Sequence, residues 1–319
     1  MVRIAVHCPP EGRYLRLYRQ AGVTDIVTGP PPEGGHGDET QRWLWLRKRV
    51  EDAGLRLSVI ESIPVAEEIK LGLPGRDEAL ERFLGSLRAM GSAGIPILCY
   101  NWMAVIHVQR TSFSTPVRGG AASISYDHAK ASRNPVPEGK GVTEEQLWAA
   151  LAYFLRAAVP VAEEVGVKLA MHPDDPPISP TRGVARILTS PEAFQRLIDL
   201  VPSPNNGITY CQGCYAEMGA DIPATIRQFA DQERLFFAHF RNLSGTPTSF
   251  VETFHDEGDT DMFAAMRAYV GAEFDGPMRP DHLPVMEGED PDPHAYHFFG
   301  RLHAIGYMRG LLDAIARTA

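Results

Sequence analysis

The residues best suited to chemistry stand near the C-terminus, in the stretch Arg279-Pro280-Asp281-His282. This stretch follows residues 274–278, which predict a strand. A carboxylate can bind a metal ion, and an imidazole beside it can transfer a proton. Three earlier predicted strands are followed directly by His172, Cys211 and His239. A fold that brings these strand ends together would gather nitrogen, sulfur and oxygen donors around one point.

The rest of the chain alternates segments typical of strands with segments typical of helices. Eight strands are predicted, at residues 4–7, 25–28, 55–60, 95–100, 167–171, 207–210, 235–238 and 274–278. This alternation favours right-handed βαβ units and a parallel sheet, and eight units predict an α/β fold, a single (β/α)8 TIM barrel. We expect one domain over residues 1–319. A doubly wound sheet is the alternative, but no Gly-x-Gly-x-x-Gly follows the first strand.

Residues 101–142 interrupt the alternation. They are rich in Gly, Ser, Pro and charged residues and show little periodicity. A segment of this length without secondary structure is typically either disordered or functional. We therefore predict a long loop insertion after the fourth strand, over the active-site face, which can act as a lid.

In a barrel of this type the active site lies at the C-terminal ends of the strands. Four consecutive strand ends then supply possible ligands for one divalent transition metal: His172, Cys211, His239 and Asp281. Carboxylate and imidazole suit Mn²⁺ or Fe²⁺, and a thiolate moves the preference towards softer ions such as Co²⁺ or Zn²⁺. A lone His or buried Cys is usually structural, but four donors at consecutive strand ends favour a metal site.

Several arginines also follow predicted strand ends. A guanidinium can bind a carboxylate through two parallel hydrogen bonds. A group of them at one rim favours an anionic ligand, and the residues concerned are Arg182, Arg186, Arg241 and Arg279.

The composition excludes several other functions. With 31 Lys and Arg against 40 Asp and Glu, the net charge is −9, which argues against binding to nucleic acid or an anionic membrane. No apolar run approaches the roughly 20 residues of a membrane span. Four cysteines in 319 residues do not form a disulfide framework. We expect a cytoplasmic protein with no nucleic-acid or membrane partner.

Six stretches of the sequence together resemble the mannonate dehydratases, metal-dependent (β/α)8 barrels related to the xylose-isomerase-like enzymes. They extend over about two thirds of the chain, in the order typical of the family. The stretches are Cys99-Tyr100-Asn101-Trp102-Met103, Met171-His172-Pro173-Asp174-Asp175-Pro176-Pro177, Gly207-Ile208-Thr209-Tyr210-Cys211, His239-Phe240-Arg241-Asn242, Glu252-Thr253-Phe254-His255 and Arg279-Pro280-Asp281-His282.

The resemblance implies dehydration of D-mannonate to 2-keto-3-deoxy-D-gluconate. It implies Mn²⁺, or else Fe²⁺, Mg²⁺ or Co²⁺, on the four ligands already named. Acid and base roles are implied for His282 and for a downstream tyrosine, which Tyr296 matches best, with Tyr307 as the second choice. The residues expected to bind the anionic sugar-acid substrate are Asn101, Arg186, Arg241, His255 and Arg279. We also expect a homo-oligomer, a dimer.

The chain departs from the family pattern after the fourth strand. The family has Asp-Trp-x-Arg-Thr where this chain has His107-Val108-Gln109-Arg110-Thr111. A related aldonate of different structure therefore remains an alternative substrate. Two other functions also remain: a xylose-isomerase-like isomerase or epimerase with the same metal site, and a catalytically inactive barrel that binds or regulates.

Overall fold

The eight predicted strands form a closed parallel barrel in the computed structural model, which describes residues 1–34, 37–139, 141–290, 292 and 296–318. The strands of the chain are β1 (Arg3–His7), β2 (Asp25–Thr28), β3 (Arg56–Glu61), β4 (Ile97–Asn101), β5 (Ser112–Pro116), β6 (Ala122–Asp127), β7 (Lys168–His172), β8 (Asn206–Cys211), β9 (Leu235–Phe240), β10 (Leu243–Thr246), β11 (Ser249–Glu252) and β12 (Pro277–Pro280). Around the barrel the order is β1, β2, β3, β4, β7, β8, β9 and β12. The predicted TIM barrel is thereby confirmed.

Helices pack around this barrel. They are α1 (Gly12–Gln20), α2 (Glu39–Asp52), α3 (Glu67–Leu71), α4 (Arg76–Ser92), α5 (His128–Ala131), α6 (Glu144–Val165), α7 (Pro191–Leu200), α8 (Gln212–Glu217), α9 (Ile222–Asp231), α10 (Met262–Gly271) and α11 (Phe299–Thr318). The last of them, α11, begins at Phe299. Among the described residues, no helix combines the length and apolar character needed to cross a membrane.

The register of the barrel strands brings the predicted site residues to one level. Asn101 pairs with His172 across β4 and β7, and Cys211 pairs with His239 across β8 and β9. His239 in turn pairs with Arg279 of β12. Every residue of β8 and β9 is buried, as expected for parallel strands covered on both faces. The side chains that can do chemistry therefore lie at the ends of rigid, buried strands.

A second sheet stands where the sequence predicted a loop. Strands β5 and β6 form an antiparallel hairpin within residues 101–142, so the prediction of a segment without secondary structure is wrong there. Strand β6 also pairs with β11, and the sheet order is β10, β11, β6 and β5. The insertion is therefore tied to the segment that follows β9. Its action as a lid stays a prediction.

Helices α4 and α6 pack against each other beside the barrel. A methyl group at Gly91 of α4 would lie 2.4 Å from Val165 Cγ2 and 3.0 Å from the Val165 carbonyl oxygen. At Gly85, two turns earlier in the same helix, no atom lies within 4 Å of such a methyl group. The missing side chain at Gly91 thus permits the close approach of the two helices.

We predict opposite effects of alanine at these two positions. Gly85→Ala should raise the free energy of unfolding by up to about 1 kcal/mol, because alanine favours the helix. Gly91→Ala should lower it by about 1–3 kcal/mol, because the added methyl overpacks the contact with Val165. Urea unfolding followed by circular dichroism measures both. Equal stability of the two variants would contradict the packing described here.

Candidate metal centre and active site

The four predicted metal ligands converge at the C-terminal end of the barrel. Donor atoms of His172, Cys211 and His239 all lie within 4.8 Å of one another. Asp281 Oδ2 lies 3.5 Å from His239 Nδ1 and 3.8 Å from Cys211 Sγ. The structure thus brings together four side chains from four adjacent strands.

The state of these donors fits a metal ion. Both ring nitrogens of His239 are buried and form no hydrogen bond with the described residues, an arrangement that costs free energy unless a ligand engages them. His172 donates its Nδ1 hydrogen to the Pro173 carbonyl oxygen over 2.8 Å, which leaves Nε2 free to bind a metal. A mixed nitrogen, sulfur and oxygen set suits a divalent transition metal.

The thiol of Cys211 is also in a state that fits binding of a metal ion. Burial alone would raise its pKa, but the neighbouring side chains of Cys214, His172 and His239, together with the charge of Arg241, hold the pKa well below the usual value. The thiolate is the form of cysteine that binds metals.

Arg279 links the candidate metal ligands to Glu61, to which the sequence analysis assigned no role. Its Nε and Nη2 donate to the two Glu61 carboxylate oxygens over 2.9 and 2.7 Å, and Nη1 donates to Asp281 Oδ1 over 2.6 Å. Burial raises the pKa of both acids, but the charge of Arg279 and the contact with His239 together hold each pKa well below its usual value. Glu61 directly follows the third predicted strand, and this position at a strand end could have identified it.

His282 is held by a second carboxylate that the sequence analysis left without a role. Its backbone is left-handed, with φ of 44°, and its Nδ1 lies 3.0 Å from Glu252 Oε1 and 3.2 Å from Arg110 Nη2. Burial raises the pKa of Glu252, but Arg241 and His282 lower it below its usual value. A carboxylate only accepts hydrogen bonds. The contact with Glu252 therefore favours a proton on Nδ1, and Nε2 is then the nitrogen available for proton transfer.

Arg241 lies in a buried cluster rather than at a substrate surface. Its Nη1 lies 3.1 Å from Asp175 Oδ2 and 3.4 Å from Cys214 Sγ, and its Nη2 lies 2.6 Å from Glu217 Oε1. Its Nε donates to Glu252 Oε2 over 2.7 Å. Asp175, Cys214 and Glu217 resemble a second metal site by residue type, but the guanidinium already supplies their cation.

Arg186 and His255 are also buried in structural positions. Arg186 donates to the carbonyl oxygens of Ala104 and Ile106 over 3.3 and 2.5 Å. His255 donates Nε2–H to the Phe240 carbonyl oxygen over 2.6 Å, and burial lowers its pKa to about 4, so the ring is neutral. Neither residue lines the cavities at the barrel mouth. Their positions, like that of Arg241, do not support the predicted contact with substrate.

Two adjoining cavities open above the converging donors. The smaller, of about 120 Å³, is lined by Asn101 and His172, and the larger measures about 360 Å³. Their shared wall consists of Glu61, Arg279, Asp281 and His282. The larger cavity is completed by His7 and Arg301 from the barrel side and by Phe113, Ser123 and Ile124 from the second sheet. Asn101 and Arg279, which the sequence analysis expects to contact the substrate, thus line these cavities.

Tyr296 stands apart from this cavity wall. Its hydroxyl lies 2.7 Å from the Tyr18 hydroxyl and donates to the His7 carbonyl oxygen over 3.1 Å. Burial raises its pKa far above the usual value. It lines neither cavity, and Tyr307, the second choice, lies on α11 against the hydrophobic core. A catalytic tyrosine therefore stays a prediction, which the position of neither residue supports.

Comparisons with known proteins agree with this geometry. The family model of D-mannonate dehydratase (UxuA) matches residues 9–138 and 132–319. A mannonate dehydratase of Streptococcus equi subsp. zooepidemicus is 38% identical over 303 residues, which cover 86% of this chain and 83% of that protein. One from Thermotoga neapolitana is 38% identical over 307 residues, covering 85% of each chain.

Solved structures support the same assignment. The crystal structure of mannonate dehydratase from Streptococcus suis serotype 2 superposes with a TM-score of 0.92 at 35% identity, covering 100% of this chain and 96% of that one. A xylose isomerase domain protein from Alicyclobacillus acidocaldarius superposes with a TM-score of 0.64 at 14% identity, covering 99% of each chain, and shares the fold alone. Because the family model matches nearly the whole length of this chain, the chain belongs to the D-mannonate dehydratase family.

Proposed function

We propose that this chain is a hydro-lyase that converts D-mannonate to 2-keto-3-deoxy-D-gluconate and water. The observation that carries the proposal is the convergence of His172, Cys211, His239 and Asp281 beside His282, in a chain of this family. A cavity of about 360 Å³ adjoins them, within the range typical of small-molecule sites.

The reaction requires several proton movements. The sugar acid loses a proton from C2, next to the carboxylate, and a hydroxyl group from C3, which leaves as water once protonated. The resulting enol loses the proton of its C2 hydroxyl and takes up a proton at C3, which gives the 2-keto acid. His282 can move one of these protons through Nε2, because Glu252 engages Nδ1. Glu252 and Arg110 orient the ring and do not themselves line the cavities.

We further propose that the metal is Mn²⁺, with Fe²⁺, Mg²⁺ and Co²⁺ as alternatives. The residues that would hold it are His172, Cys211, His239 and Asp281. When bound, a divalent ion stabilises the negative charge that develops on the substrate after loss of the C2 proton. A dimeric assembly and a cytoplasmic location stay predictions of the sequence analysis.

The test of the function is product analysis. Incubation with D-mannonate and Mn²⁺ should give a 2-keto-3-deoxy acid, detected by the periodate–thiobarbiturate colour, and a mass lower by one water. His282→Asn should abolish the product while the variant still binds metal, because it removes the proton carrier and keeps the ligands. A product of unchanged mass and altered stereochemistry would identify an isomerase or epimerase and refute the elimination.

The ligand set predicts the metal content of variants. Elemental analysis of the purified protein should find about one divalent ion per chain. Cys211→Ala and Asp281→Ala should each lose most of it, since each removes one charged donor. Cys8→Ala, which changes a buried cysteine outside the donor group, serves as control. Full metal retention in both ligand variants would place the metal elsewhere.

The contact between Glu252 and His282 predicts a selective loss of rate. Glu252→Gln should lower kcat about 10- to 100-fold and leave KM and metal content nearly unchanged, because it removes the charge that orients the imidazole. Glu217→Gln is a matched control. Glu217 also binds Arg241 in the buried cluster, but the carboxylate that contacts His282 is that of Glu252. Equal kcat values in Glu252→Gln and Glu217→Gln would contradict the role of Glu252 in positioning the imidazole of His282.

A further inference from the structure

The wall of the larger cavity contains a cation that forms no ion pair with the described residues. Arg301, in the first turn of α11, lines this cavity. No carboxylate oxygen of the described residues lies within ion-pair distance of its guanidinium. Its Nη1 donates to the His297 carbonyl oxygen, and its guanidinium carbon lies 4.4 Å from the centre of the Tyr296 ring. These contacts fix the group without neutralising it.

The other arginines near the site cannot offer a net positive charge. Arg279 shares the cavity wall but is engaged by two carboxylates, Glu61 and Asp281. Arg241 and Arg110 are each paired with Asp175 and Glu252 in the buried cluster. An anionic substrate that enters the cavity therefore meets one uncompensated guanidinium, that of Arg301.

Neither His7 nor the N-terminal end of α11 supplies a further positive charge on the side of the cavity where Arg301 lies. The imidazole of His7 lies on the same wall, and burial lowers its pKa to about 4, so it is neutral near pH 7. The N-terminus of α11 is already capped, since Glu289 Oε1 accepts from the backbone amides of Phe298 and Phe299. Anion binding there depends on the guanidinium and not on the helix end.

We propose that Arg301 binds the carboxylate of the sugar acid in the larger cavity. The inference rests on the proposed function and adds the residue that selects an acid over a neutral sugar. When Arg301 holds the carboxylate, the adjacent C2 and C3 extend towards the cavity wall that contains Asp281 and His282. Arg279 then holds the ligand Asp281 in place and leaves the substrate charge to Arg301.

The test compares a charged and an uncharged ligand. Arg301→Gln should raise KM for D-mannonate about 10- to 100-fold, with kcat changed less than about threefold, because the lost interaction binds substrate and transition state alike. The inhibition constant of D-mannitol, a neutral six-carbon polyol, should stay the same. Arg317→Gln, which removes the same charge from the exposed end of α11, should change neither constant.

A second measurement uses the unaltered, metal-loaded protein, so that the proposal can still be tested if Arg301→Gln fails to fold. An arginine-selective dicarbonyl reagent should modify Arg301, as read by peptide mass spectrometry. D-mannonate and D-gluconate should slow this modification, and D-mannitol at the same concentration should not.

The outcomes separate this proposal from the proposed function. Absence of dehydration with normal protection of Arg301 by aldonates would refute the function and keep the carboxylate site. Normal dehydration with an unchanged KM in Arg301→Gln would overturn the carboxylate site and keep the function. Equal protection by D-mannonate and D-mannitol, or no modification of Arg301 at all, would also overturn it.

Discussion

The buried ion pairs around Arg241 are the interaction on which the rest of the site depends. The guanidinium is fully buried between Asp175, Glu217 and Glu252. Removing one partner from such a group typically costs about 3–5 kcal/mol, because a buried charge is left uncompensated. The chain also makes room for it, since a methyl group at Gly213 would lie 2.4 Å from Arg241 Cδ. The glycine within Cys211-Gln212-Gly213-Cys214 thus makes room for Arg241, and the sulfur atoms of both cysteines lie beside its guanidinium.

The same cluster joins the second sheet to the barrel. Asp175 follows β7, Glu217 ends α8, and Glu252 ends β11 of the second sheet. Arg110, which precedes β5, donates to Asp175 over 2.7 and 2.9 Å and to Glu252 over 2.8 Å. Glu252 therefore has two tasks: it docks the sheet and it engages Nδ1 of His282. Because one carboxylate does both, the wall of the larger cavity and the orientation of the His282 ring are set together.

The barrel and the convergence of the four candidate ligands were predictable because both follow from local pattern and from one rule. Alternating strands and helices predict the barrel, and the rule that strand ends meet at one face brings His172, Cys211, His239 and Asp281 together. The second sheet was not predictable in this way. Strand β5 is short and polar, and β6 pairs with β11, which lies more than 120 residues later in the chain. The burial of Arg241 and Arg186 was not predictable from the sequence either. An arginine that follows a strand end looks the same in the sequence whether it binds a substrate or buried groups of the protein.

The departure from the family pattern at His107-Val108 can now be placed in the structure. Arg110, which the chain shares with that pattern, belongs to the buried cluster, so the change leaves the cluster intact. Val108 lines the smaller cavity beside Asn101, and His107 does not. If Arg301 holds the carboxylate in the larger cavity, the smaller cavity receives another part of the sugar acid. A preference for an aldonate other than D-mannonate would then arise from the groups that Val108 contacts, and the binding of the carboxylate would stay the same.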